Sequence, residues 1–143
     1  MRTIHTEIGI GAPAAKVWDI LAAIDKWPEW NPFARVSGRL QLGERLEVEI
    51  RPPGKSPMTF RPAVTKLEPG RELRWLGHLG VRGIFDGEHG FRIVPEDVGR
   101  CRFEQFETFS GLLAGPIFWK VEASTRVGFE AMNRKLKRRA EAA

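Results

Sequence analysis

The sequence predicts an α+β domain in which a curved antiparallel sheet of about seven strands wraps one long C-terminal helix. Three observations carry this. Residues 2–10 alternate in polarity with period two, the mark of a half-buried strand. Residues 34–112 fall into short strand-like runs separated by proline- and glycine-bearing turns. From Pro116 onward, apolar residues recur every three or four positions, as in an amphipathic helix.

The elements follow in order. Ile4, Thr6, Ile8 and Ile10 share one parity of the first strand, with His5 and Glu7 on the other. Gly11 and Pro13 stop it, and Pro13 suits a first helical turn, where no amide donor is needed. Val17, Ile20, Leu21 and Ile24 then give helical spacing, predicting a short helix from about Pro13 to Ala23. Pro28 and Pro32 limit the stretch Trp27 to Phe33 to a helical turn or two.

Strands are predicted at Val36 to Leu42, at Leu46 to Ile50, and at Met58 through Val64. Three more follow: a run containing Leu73, Trp75 and Leu79, then Gly83 to Val94, then Arg100 to about Leu112. Short turns between them predict a meander ordered by sequence. Phe118, Val121, Thr125, Phe129, Met132 and Leu136 form the apolar stripe of the final helix. That stripe must be buried, and the sheet offers the large apolar surface to bury it. The order is β-α-α-β6-α.

At 143 residues, one domain spanning 1–143 is expected. An apolar fraction of 42% supplies a true core and excludes a disordered chain. No run approaches a membrane span, and the first residues lack the form of a secretory signal, so a cytoplasmic location is expected. The lone cysteine, Cys101, reads as a small buried hydrophobe. The net charge of +5 is concentrated in Arg134, Lys135, Lys137, Arg138 and Arg139. Cations there complement a helix C-terminus, and no nucleic-acid partner is expected.

Several stretches resemble a known family. They are Ala12–Leu21, Trp27–Phe33, Pro69–Gly77, Gly87–Ile93 and Phe103–Leu113. Together they are similar to START-like (SRPBCC) proteins of the polyketide cyclase/dehydrase and lipid-transport subgroup, over nearly the whole chain. The resemblance implies the helix-grip fold and a ligand cavity between sheet and helix. The superfamily includes lipid carriers, hormone receptors, cyclases and chaperone activators, so the fold does not name the activity.

Centring the last hairpin turn near residue 98 pairs Phe91 with Gln105, Ile93 with Phe103, and His89 with Glu107. The apolar members of each strand set the inward face, so His89, Gln105 and Glu107 are expected to point toward the helix. A carboxylate there is costly. It is protonated, it pairs with His89, or the cavity holds water. Either His89, Gln105 and Glu107 orient a ligand's polar group, or they bond one another and tie two strands. The apolar lining candidates are Trp30, Phe33, Trp75, Phe85, Phe91, Phe109, Phe118, Val121, Thr125 and Phe129.

The leading expectation is binding or transport of a small hydrophobic ligand. One alternative is a cyclase- or dehydratase-like enzyme with His89 and Glu107 as acid and base. Another is a protein-interaction module of the chaperone-activator kind. Neither Thr108 nor Ser110 sits in a nucleophile motif. The scattered histidines and single cysteine give no metal-ligand spacing, so no metal and no cofactor are expected. Ser110 to Gly115 and Trp27 to Phe33 either form an apolar mouth, where peripheral membrane contact is a further option, or pack against each other, and packing is the favoured reading.

Overall fold

A computed structural model describes residues 2–78 and 80–142. Leu79, expected in a strand, lies outside the described residues. The first strand, β1, runs from Arg2 to Ile10. Helix α1 follows at Ala14–Ala22, with Pro13 just before it, and a 3-10 turn occupies Ile24–Glu29. Four short strands come next: β2 (Ala34–Ser37), β3 (Glu47–Ile50), β4 (Met58–Phe60) and β5 (Ala63–Glu68). Longer strands β6 (Glu72–His78), β7 (Asp86–Asp97) and β8 (Arg100–Ser110) lead to α2 (Ala114–Glu141).

The expected α+β architecture is present, with three corrections. First, Met58 to Val64 is two strands. Pro62 cannot donate to a ladder, and the chain turns at Arg61–Pro62, so β4 and β5 join different sheets. Second, the order is not the sequence order throughout. β5 to β8 form a meander, but β1 pairs with β8, giving β1-β8-β7-β6-β5, while β2-β3-β4 form a separate three-stranded sheet. Third, the strand expected at Val36–Leu42 stops at Ser37, where Gly38 takes a φ of 118°.

The two sheets meet at a corner. Leu46 donates its N–H to the Pro62 carbonyl, and Val64 donates to the Glu44 carbonyl. The smaller sheet is thereby folded toward the concave side of the larger. α2 packs against β1 and β8 on that side, with Phe129, Met132 and Leu136 fully buried.

One glycine sets how closely α2 approaches. A Cβ on Gly128 would lie 2.2 Å from the Phe33 ring, which packs edge-on against Phe129. Gly128→Ala is therefore expected to destabilise the fold by roughly 1–3 kcal/mol, because ring and helix cannot both stay in place. A denaturant midpoint unchanged from the parent would refute this contact.

The convex face carries an aromatic too. Phe106 lies over Gly90, where a Cβ would stand 2.3 Å from its ring. Arg74 and Arg92 cover it, with guanidinium carbons 5.1 and 5.0 Å from the ring centroid. Glu72 and Glu104 hold those arginines; against the burial that opposes it, Arg74 and Arg92 keep the Glu72 carboxyl below the usual range, and Arg102 and Arg92 do the same for Glu104.

Candidate functional site

Between the two sheets and α2 lies a cavity of about 110 Å³. The large sheet contributes Trp75, Gly77, Gly87, His89, Glu107 and Phe109 to its wall. The small sheet contributes Val48, Ile50, Met58 and Phe60, and α2 adds Val121 and Thr125. Phe33, Phe85, Pro52, Pro62 and His78 complete it. The wall is mostly apolar, with a few polar groups converging on it, which is the character of a small-molecule pocket.

The observed register pairs His89 with Glu107, Phe91 with Gln105, and Ile93 with Phe103, as the turn-centred parity requires. Yet His89 and Glu107 do not bond each other. His89 Nε2 lies 2.9 Å from Gln105 Oε1, a diagonal neighbour on β8. The direction of that bond is fixed from the far end of a chain. The Thr6 hydroxyl donates to the Gln105 backbone carbonyl at 2.9 Å, which can only accept. Thr6 Oγ1 therefore accepts from Asn133 Nδ2, at 2.9 Å. Asn133 Oδ1 then accepts from Gln105 Nε2, at 2.8 Å. That leaves Gln105 Oε1 as an acceptor, so His89 must donate from Nε2.

The consequence is a single tautomer. Burial drives the His89 pKa down to about 4, with the Gln105 bond opposing the shift, so the ring is neutral near pH 7. With Nε2 protonated, Nδ1 is left as an acceptor. Aromatic rings pin the imidazole: Phe91 stacks at 4.5 Å, Phe129 lies at 4.8 Å and Trp75 meets it edge-on at 5.5 Å between centroids.

Glu107 brings a carboxyl to the cavity wall. Its surface is reached only in part, from the cavity side, while the surrounding protein strips it of water. That desolvation raises its pKa to about 7. No side chain among the described residues bonds its carboxyl. Of the three options open in the sequence, pairing with His89 is not adopted, and the raised pKa favours protonation below about pH 7. Room for the carboxyl comes from Gly87, where a Cβ would lie 2.6 Å from Glu107 Oε2. A glycine inside a strand marks such an approach.

Of the expected lining residues, Phe33, Trp75, Phe85, His89, Glu107, Phe109, Val121 and Thr125 are brought together around the cavity. The other five are not in its wall. Phe91 and Phe129 are fully buried behind His89, and Gln105 is buried in the hydrogen-bond chain. Phe118 packs edge-on against Phe109, with Arg2 over its ring. Trp30 packs at a tilt against Trp27 and lines a different groove. Of the two options for Trp27 to Phe33, a mouth is not formed at Trp27, which is fully buried and donates to the Leu21 carbonyl. On the other side, Leu112 and Leu113 donate backbone N–H groups to Gly83 and Ile84, and both side chains are exposed.

Sequence reasoning missed the contribution of β3 and β4, whose apolar alternation was visible but whose placement over the large sheet was not. It also missed His78, which donates from Nδ1 to Asp86 at 2.7 Å at the end of β6. Asp86 takes two further bonds from the Gly83 N–H, which with His78 hold its carboxyl below the usual range. His5 and Glu7 are exposed, as their parity implies. They approach Glu104, but Arg92 and Arg102 already pair with that carboxyl, and their charge opposes a cation there.

A curled antiparallel sheet gripping a long terminal helix around an apolar cavity defines a START-like, helix-grip domain. The model of the family described as "Polyketide cyclase / dehydrase and lipid transport" matches residues 1–141, and the chain belongs to that family. A curated relative, the oxopyrrolidines biosynthesis cluster protein O of Penicillium oxalicum, is 31% identical over 99 residues, taking in 52% of this chain and 49% of that protein. The chain thus spans about half the length of the curated relative it matches.

Solved structures share the fold at lower identity. The ZhuI aromatase/cyclase of Streptomyces sp. R1128 superposes with a TM-score of 0.74 at 18% identity, over 98% of this chain and 93% of that one. A START superfamily protein of Mycobacterium smegmatis gives 0.70 at 19% identity, over 97% of both chains. Among the described residues no helix is long and apolar enough to cross a membrane.

Proposed function

We propose that this protein binds a small, mostly apolar molecule that carries one hydrogen-bonding group, held by the carboxyl of Glu107 and Nδ1 of His89. The observation that carries this reading is the apolar cavity with a partnerless carboxyl and a tautomer-fixed imidazole in its wall. A protonated Glu107 donates one hydrogen bond, and a neutral His89 accepts one. Removal of apolar surface from water drives entry, at about 0.8 kcal/mol per buried CH₂ group.

Size narrows the ligand. A cavity of about 150 Å³ holds a benzene ring. At about 110 Å³, this one holds a short acyl group or a ring that reaches partly into the mouth. A long acyl chain requires the walls to part.

The test compares phenol with decanoate by calorimetric titration at several temperatures. Phenol is expected to bind saturably, in the range of about 0.1–1 mM, with a negative heat-capacity change. Decanoate is expected to bind more weakly. If neither binds saturably, the reading falls.

A further inference from the structure

We propose that the groove at the carboxyl end of α2 is a second binding site, separate from the apolar cavity, that takes a phosphate-type dianion. The groove encloses about 470 Å³, and Trp30, Asn31, Lys135, Arg138, Arg139 and Glu29 are in its wall.

Two buried donors in that wall lack acceptors. Trp30 is 9% exposed and Asn31 is 6% exposed. Trp30 Nε1 and Asn31 Nδ2 are the buried side-chain polar atoms without a hydrogen-bond partner among the described residues. The Asn31 amide cannot be turned round to repair this. Its Oδ1 already accepts the backbone N–H groups of Phe33, at 2.9 Å, and Ala34, at 3.1 Å, so the NH₂ group must face away from them. Buried donors left without acceptors are rare in native proteins and call for a partner from outside.

The net charge around these donors is positive. Arg139 is paired with Glu29 at 2.6 Å. Lys135 and Arg138 are exposed and have no ion-pair partner among the described residues, so the groove keeps two positive charges. They also offset the negative end of the α2 dipole, which would otherwise repel an anion. Two cations and two neutral donors match a doubly charged oxyanion with several acceptor oxygens better than they match a single carboxylate. Both orphan nitrogens are closed off from water, so a bound oxygen reaches them only after a side-chain adjustment.

The chemistry is shared by a soluble phosphate monoester and by the headgroup of a phosphatidic acid. The experiment uses ¹⁵N-labelled protein, titrated separately with inorganic phosphate and with phosphatidylcholine vesicles with and without phosphatidic acid. The readouts are the Trp30 indole N–H, the Asn31 side-chain amide and, for vesicles, co-flotation. The Trp27 indole, already bonded to Leu21, is the internal reference. Saturable shifts of Trp30 and Asn31 are expected, with Trp27 still, and about tenfold weaker binding in Lys135→Ala/Arg138→Ala. Saturation by phosphate assigns a soluble ligand, and flotation only with phosphatidic acid assigns a lipid headgroup. Absence of saturable shifts in both arms, or equal affinity in the double variant, overturns the proposal. Phenol binding in the cavity tests a different site, so either result can fail alone.

Discussion

Glu107→Gln is expected to stabilise the protein at pH 8 by up to about 3 kcal/mol and to leave it nearly unchanged at pH 4. The sign follows from the raised carboxyl. In the unfolded chain Glu107 ionises near 4.5, and in the folded chain near 7. Between those values the folded state holds a proton that the unfolded state has released. Folding stability from this group is complete below pH 4.5 and declines as the pH rises to 7. A glutamine has no proton to lose, so the decline disappears. The cavity side of Glu107 is partly open, which lowers the effect below the full shift.

The parent protein hides this slope. His89 moves the other way, from 6.5 unfolded to about 4 folded. Its stability contribution is complete above pH 6.5 and is lost as the pH falls toward 4. The two slopes oppose each other over nearly the same window, so the parent curve should be almost flat from pH 5 to 7. In Glu107→Gln the His89 slope stands alone, and stability should rise with pH across that window. Urea midpoints at half-unit pH steps check this. A variant curve parallel to the parent's would show that Glu107 is solvated and has an ordinary pKa.

Much of the fold was legible because two periodicities report two kinds of element. Period two in residues 2–10, and spacings of three and four from Phe118 to Leu136, depend only on which side of each element is buried. The β7–β8 register was legible because centring the turn near residue 98 gives the pairing of most of the ladder, although an irregularity between Pro95 and Asp97 shifts the pairing by one residue after the Asp97–Arg100 pair at the turn. The placement of β2–β4 was not legible, because nothing in their alternation says which sheet they join. Phe106 shows a second limit. It shares parity with polar outward residues, yet it is buried by a glycine opposite and two arginine side chains above. The site was half legible for the same kind of reason. Parity showed that His89 and Glu107 face inward, but the partner of His89 depends on Asn133 and Thr6, residues 44 and 83 positions away in the chain.

That chain of hydrogen bonds makes Gln105 the residue whose loss should cost most. Gln105→Leu keeps the volume and removes both the acceptor of His89 and the donor to Asn133 and the Phe129 carbonyl. His89 Nε2 and Asn133 Oδ1 are then buried without partners, at roughly 1–3 kcal/mol each. A net destabilisation of about 1–5 kcal/mol is expected, since the leucine regains part of the loss by apolar packing. A second readout separates this from a general packing defect. In the parent, ¹⁵N shifts should show His89 protonated at Nε2 alone. Where Gln105→Leu remains folded, the direction imposed by Thr6 no longer reaches the imidazole, and Nδ1–H should appear as well. If the variant keeps a pure Nε2–H tautomer, or if Thr6→Val leaves stability untouched, Gln105 does not transmit that direction. The cavity would then present Nδ1 as an acceptor for some other reason, and the binding polarity assigned to His89 would lose its physical basis.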